Sequence, residues 1–445
     1  MSPRLRAALT LFAISIMLAP VASAQVVEKR PASGSTSAPA QDPGGTRYTR
    51  GVKVKASSPA AVPTTAPAPA RATASAVTWE PFAGMDAQVF PSFVVATATL
   101  RLPQEDKEED DPRSLGEAMG FIGATLEHVP ANSRLRVEVK PNAIMDASVF
   151  DGRATDGPGD YEIYPKLNYK YDALVGWRQP MPLNIVMEVF VDGQSVGTRS
   201  QTVTVRSIND CPFAILADQD SEDDDLDLSW MFAAYVNENH PWVDTLTREA
   251  LESKVVEAFS AYQEDSDEEV LRQVYAIWHT LQKRGIRYSD ISQSSAESEV
   301  VLSQHVRLFD ETVNAHQANC VDGTVMIAAV LRKIGIEPYL VVLPGHMFLA
   351  FDLDAEGKRT FGLETTMMGS TGTGEATSTR RIPASMAARY RSLPSFRSFS
   401  AAIDAGTQQL NENRAKFDGD DPDYQVISLT ESRKMGILPL AYRPK

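Results

Sequence analysis

The sequence predicts an α+β chain in which an all-β sandwich, residues 79–210, precedes a mixed helix-and-strand domain, residues 211–445. Three observations lead there. Short apolar runs separated by turn signals fill the first stretch. Clear helical periodicity starts at Leu228 and recurs up to Arg284. Farther on, an almost wholly apolar helix opened by Asn319-Cys320 is followed by a series of short apolar strands.

The chain opens with an export signal. Arg4 and Arg6 supply the positive flank, Ala7–Leu18 the apolar core, and Ala22-Ser23-Ala24 a small-residue cleavage site before Gln25. The core is short for a membrane anchor, and no cysteine follows the cleavage site to carry a lipid. The protein is therefore expected to be exported and to work in a periplasm or outside the cell. Residues 25–78 are rich in Pro, Ala, Ser, Thr and Gly, with almost no large apolar side chains. Such a stretch cannot bury enough surface to offset the entropy of ordering, so it reads as a disordered linker.

The sandwich begins near Val77-Thr78-Trp79. Its apolar runs are Phe93–Leu102, Leu135–Val139, Leu183–Val191 and Thr202–Ile208, with a turn at Val191-Asp192-Gly193. Ser114–Leu126 is open between a strand pair and a short helix. The charge run Glu105–Asp111 reads as a solvated loop. Tyr161, Tyr164, Tyr169 and Tyr171 suit a carbohydrate or peptide surface, or simply sandwich packing.

Asn209-Asp210-Cys211-Pro212 reads as the join between domains. The acidic run Asp218–Asp227 lacks the glycine an EF-hand turn needs and reads as a surface loop. Helices are then predicted over Leu228–Val236, Val243–Tyr262 and Glu268–Arg284, the last ending at Gly285 and carrying a core stripe of Leu271, Val274, Ile277, Trp278 and Leu281. The helix from Cys320 presents Val325, Ile327, Ala328, Val330 and Leu331, which predicts central burial, and Gly335 ends it. Tyr339–Leu343, Met347–Leu353 and Thr360–Glu364 are predicted to form an antiparallel sheet carrying that helix. A Gly/Ser/Thr loop from Gly369 to Thr379 is placed to overhang it. Ile382–Leu410 is helical in part, and Tyr424–Leu429 is a last strand.

The chemistry lies in the order of three residues. A helix start presents unpaired N–H groups and the positive end of the macrodipole, which favours a thiolate at Cys320. His346 follows in Leu343-Pro344-Gly345-His346, and Glu364 in Gly362-Leu363-Glu364-Thr365-Thr366. Nucleophile, base and orienting carboxylate thus occur in that sequence, as thiol acyl transfer requires. On these residues, the stretch from Arg287 to about Thr366 resembles the transglutaminase-like superfamily. In that family a cysteine, a histidine and an acidic residue come in this order on a papain-like core. By position Cys320 matches the nucleophile and His346 the base; Glu364 matches the third position, where better-known members more often carry Asp. Gln304 resembles an upstream polar position, which implies a side-chain amide at the oxyanion. Family members include proteases, peptide N-glycanases and amine-transferring cross-linkers, and others have no catalytic activity.

The expected function is cleavage or transfer at an amide bond through a Cys320 thioester, by a cysteine hydrolase (protease or amidase) or a transglutaminase-like acyltransferase. The alternative is an inactive module of the same fold that binds or scaffolds in the cell envelope. Neither needs a cofactor or metal. Other readings of the same residues are a Cys211–Cys320 disulfide, in line with export, and a zinc site at His316, Cys320 and Asp322, whose spacing lacks the usual paired ligands. Asp352 shares a strand face with His346 but lies roughly 20 Å away if extended, and reads as solvated. His279 reads as exposed or satisfied. A net charge of −15 argues against nucleic acid and anionic membrane as partners. Protein or peptidoglycan peptides remain as substrates, and no integral membrane span is expected after the signal.

Overall fold

The computed structural model describes residues 77–100, 111–117, 120–217, 225–290, 298–370, 381–419, 421 and 423–441. The expected export signal, the expected linker up to residue 76, the run at 105–110, the acidic segment 218–224 and the residues 371–379 of the expected overhanging loop lie outside the described residues. The described chain is α+β.

Alternation builds the first half. In Arg134–Val139, for instance, Leu135, Val137 and Val139 are buried while their neighbours face outward. Strands β1 (Thr78–Ala83), β2 (Gln88–Val89), β3 (Ser114–Gly116), β4 (Ile122–Val129), β5 (Arg134–Val139), β6 (Ser148–Arg153), β7 (Gly159–Tyr164), β8 (Met181–Val191) and β9 (Gln194–Val205) make two sheets, ordered β1-β4-β7-β3 and β2-β9-β8-β5-β6. The β8–β9 hairpin closes on Asp192-Gly193, both left-handed at φ 50° and 81°, as a two-residue turn between twisted strands demands.

Not all of this half is strand, which corrects the all-β expectation. Phe93-Val94-Val95 lies in a helix, α1 (Pro91–Ala96), and Tyr171–Val175 forms another, α2. Every residue of α1 is buried, and Pro91 suits its first turn. An apolar run without a period is compatible with a buried strand or a buried helix, and here the helix wins. Within Ser114–Leu126, Ser114–Gly116 and the residues from Ile122 on are strand. Tyr161 and Tyr164 are buried in β7, whereas Tyr171 is exposed.

Past the join come β10 (Asp210–Ile215), β11 (Leu226–Asp227), a 3₁₀ segment (Ser229–Tyr235), α3 (Pro241–Glu252), α4 (Asp267–Lys283), β12 (Arg287–Tyr288), β13 (Val301–His305), α5 (Phe309–Ala315) and β14 (Gln317–Ala318). The first expected helix is thus a fully buried 3₁₀ segment. The second ends at Glu252, well short of Tyr262, where Lys254 turns left-handed (φ 60°). Val255 and Val256 are buried beyond that turn and prolong the apolar pattern after the helix has ended. Helix α4 is capped by Ser266, carries three acids in its first turn and buries its whole predicted stripe.

Helix α6 (Cys320–Lys333) lies on the sheet of β15 (Pro338–Leu343), β16 (His346–Asp352) and β17 (Thr360–Leu363). Every residue from Val321 to Leu331 is buried. Each large aliphatic among them contributes about 1.5–3 kcal/mol. Helices α7 (Ala384–Tyr390) and α8 (Pro394–Glu412) follow; α8 packs on β17. Then β18 (Gln425–Ser428) joins the far edge, giving an antiparallel order β17-β16-β15-β18, and α9 (Leu429–Lys434) ends the regular structure.

The larger of two apolar clusters among the described residues runs from Val77 to Leu440 through both halves, and the smaller is Val341, Phe348 and Ala350. At the join, Asp210 accepts from the Arg206 guanidinium (3.1 Å) and faces His305 of β13 (3.3 Å), with Arg206 and Asp210 almost wholly buried. No described helix is long and apolar enough to cross a membrane.

Candidate active site

The site starts from the cap of α6. Asn319 Oδ1 accepts the Asp322 N–H (2.8 Å), and Asp322 Oδ2 accepts the Asn319 N–H (3.1 Å). The Asn319 carbonyl takes the Gly323 N–H (3.0 Å). These bonds leave the N–H groups of Cys320 and Val321 unused by the cap, at the positive end of the helix. Asp322 is fully buried and also accepts from the Arg307 backbone (2.8 Å) and guanidinium (2.7 Å). It anchors the helix start and points away from chemistry.

A tight hairpin supplies the histidine. Leu343 pairs with His346 across Pro344-Gly345, with Gly345 left-handed at φ 69°. The antiparallel register of β16 with β17 brings the residues just after Leu363 alongside the start of β16. There His346 Nε2 meets Glu364 Oε2 at 2.8 Å. That bond leaves Nδ1 as the ring nitrogen for the Cys320 thiol. Burial favours a neutral imidazole, but hydrogen bonds and charge from Cys320 and Glu364 outweigh it and raise the His346 pKa to about 10.

Glu364 is 4% exposed. Burial opposes its charge, yet the hydrogen bond and charge of His346, with further bonds from Thr366, hold its carboxyl below the usual carboxylate value. Four donors surround it: His346 and Gln409 Nε2 (2.8 Å) on Oε2, and the Thr366 N–H (3.1 Å) and hydroxyl (2.7 Å) on Oε1. Thr324 Oγ1 donates to the Cys320 carbonyl (2.7 Å), and Thr365 Oγ1 reaches the same oxygen (3.3 Å). Gly323 permits this approach, since a Cβ there would stand 3.2 Å from the Thr365 Cβ.

Cys320, His346 and Glu364 therefore meet, from a helix start, a strand start and a strand end. Gln304 does not join them. It lies in β13 opposite Cys211, its amide donates to the His305 carbonyl (3.1 Å), and among the described residues it makes no bond to Cys320. One of its two amide N–H groups is thus engaged by the neighbouring carbonyl. Asp352 is not solvated as expected; it is buried, accepting from Tyr339 (2.8 Å) and Thr360 (2.7 Å), and burial raises its pKa to about 6. Cys211 is a free, fully buried thiol whose pKa burial pushes well up, and Cys320 is free and half-buried, so the two form no disulfide. The proposed zinc ligands diverge: His316 Nδ1 lies against the Arg284 carbonyl (2.8 Å) and Asp322 is held by Arg307. His279 pairs with the Ser395 hydroxyl (2.8 Å).

Three further residues stand at the site, and the first of them has a signal in the sequence. Thr366 follows Glu364 closely enough that its capping role has a local signal. Gln409 has none. Tyr288 sits on β12 beside Ala318 of β14, its N–H donating to the Met368 carbonyl (3.0 Å), with 40% of its surface exposed. Burial first, and then electrostatic interaction with Cys320, Asp290 and Glu364, raises its phenol pKa. Comparison with protein-family models gives no match to this chain, and comparison with curated protein sequences gives none either.

Proposed function

We propose that the protein is a thiol-dependent acyl-transfer enzyme that cleaves an amide or peptide bond through a Cys320 thioester. The observation that carries this is the coupling of His346 to both Glu364 and the Cys320 thiol at the start of a buried helix. Its resemblance to the transglutaminase-like superfamily, and to a papain-like core after a β-sandwich, belongs to the same reading. So do export and a protein or peptidoglycan-peptide substrate.

In this reading the Cys320 thiolate, paired with the His346 imidazolium that Glu364 sustains, attacks the carbonyl carbon. The new oxyanion falls to the Cys320 and Val321 N–H groups, each such donor being worth roughly 3 kcal/mol in comparable sites. His346 then gives its proton to the leaving amine as the C–N bond breaks, and the thioester remains. Water attacks next, losing a proton to His346; the acid departs and the thiolate–imidazolium pair is restored. An amine in place of water gives transfer. Glu364 keeps the ring oriented and its cation stabilised throughout.

The test is alkylation of the unreduced protein across pH, read at Cys320 by mass spectrometry, alongside turnover of peptide and amide substrates. Fast Cys320 modification that persists well below about pH 8 and slows in His346→Ala supports the enzyme. Turnover unaffected by Cys320→Ala overturns Cys320 as the nucleophile; no turnover at all, with a Cys320 no more reactive than an ordinary thiol, points instead to a binding module.

A further inference from the structure

We propose that Gln409 is a positioning residue that holds Glu364 ionised and aimed at His346, so that α8 is part of the catalytic apparatus; this rests on the acyl-transfer reading above. The placement is built by a backbone-to-backbone crossing. A Cβ on Gly362 would lie 2.2 Å from the Gly406 carbonyl carbon, and one on Gly406 would lie 2.5 Å from the Leu363 nitrogen. Thr407 Oγ1 accepts the Gly362 N–H (3.0 Å) and donates to its carbonyl (3.3 Å), while the Glu364 N–H donates to the Ala402 carbonyl (2.9 Å). These bonds lock the register of α8 against the strand that ends in the carboxylate. Within a turn of that crossing, Gln409 Nε2 reaches Glu364 Oε2 at 2.8 Å, the oxygen that also faces His346.

A carboxylate this deeply buried stays charged only while its oxygens are bonded. Thr366 serves Oε1 with two donors, whereas Oε2 has His346 and Gln409. Without Gln409, Oε2 is left to the imidazole alone. The carboxyl then takes up a proton more readily as pH falls, and its support for the His346 imidazolium goes with it.

The experiment compares the full chain with Gln409→Met, which keeps length and helix propensity but has no donor. The rate of Cys320 alkylation by iodoacetamide is followed against pH, and the His346 Nε2 proton by NMR. The expected result is an acid limb moved up by about one pH unit, a roughly tenfold loss of rate there, with a displaced imidazole proton resonance and little change near neutrality. A folded Gln409→Met with wild-type limb and resonance overturns the proposal. If that variant is unstable, Gln409→Ala is read in the same way. A wild-type Cys320 that reacts as an ordinary thiol overturns the acyl-transfer reading itself, which is a separate outcome.

Discussion

Cys320, His346 and Glu364 make different demands on their surroundings, and each demand predicts a pH effect. His346 has its pKa raised from 6.5 to about 10, so it stabilises the folded protein fully below its ordinary value and loses that contribution as pH climbs toward 10. The melting-temperature difference between wild type and His346→Gln is therefore expected to shrink between pH 6.5 and 10; a constant difference would contradict the assignment. Glu364 works the other way. Its pKa is lowered, so its contribution is complete above 4.5 and drains as the pH falls further. Glu364→Gln keeps the shape and removes the charge that sustains the imidazolium. Cys320 alkylation near pH 6 is expected to slow by about ten- to a hundredfold, the worth of a hydrogen bond to a charged group. These three side chains are legible in the sequence because each stands in a short local pattern: Asn-Cys at a helix start, Pro-Gly-His at a hairpin, Glu-Thr-Thr at a strand end.

Elements decide what that legibility leaves out. The β8–β9 hairpin and α6 can be read in advance, one from alternation around Asp192-Gly193 and the other from an unbroken apolar face. Helix α1 cannot, because its apolar run has no period to distinguish strand from helix. The end of α3 is hidden by Val255 and Val256, which are buried for reasons other than helicity. Gln409 is invisible for a third reason: its partner is 45 residues away and is found only through the crossing of α8 over β17. That crossing is itself testable. Gly406→Ala drives a methyl into the Leu363 backbone, and the variant is expected to lose about 1–3 kcal/mol in urea unfolding. Its Cys320 reactivity should fall as well, because Glu364 and Gln409 lie on the two elements forced apart. A Gly406→Ala protein of wild-type stability and reactivity would mean the two backbones have room to spare.

For the molecule as a whole, the join matters more than either half. The Arg206–Asp210 pair is buried from both sides, and His305 of β13 closes on the same carboxylate. Removing one partner strands a charge away from water, so Asp210→Ala is expected to cost about 3–5 kcal/mol. With a continuous core as well, the described chain should unfold in a single calorimetric transition that this substitution shifts without splitting; two separate transitions in the wild type would show that the halves are independent. The closing stretch of polypeptide adds a matter of timing. The Thr99 hydroxyl bonds the Gly436 carbonyl, 337 residues away, and the Leu438 and Leu440 N–H groups donate to the Ala96 and Ala234 carbonyls. Because a ribosome delivers the chain from its N-terminus, the fastening of α1 waits for residues made more than 300 positions later, and until then the Ala96 and Ala234 carbonyls lack these donors. A chain ending at Lys434 is thus expected to be cut by protease near α1 sooner than one running to Lys445, a defect in one half caused by a loss in the other.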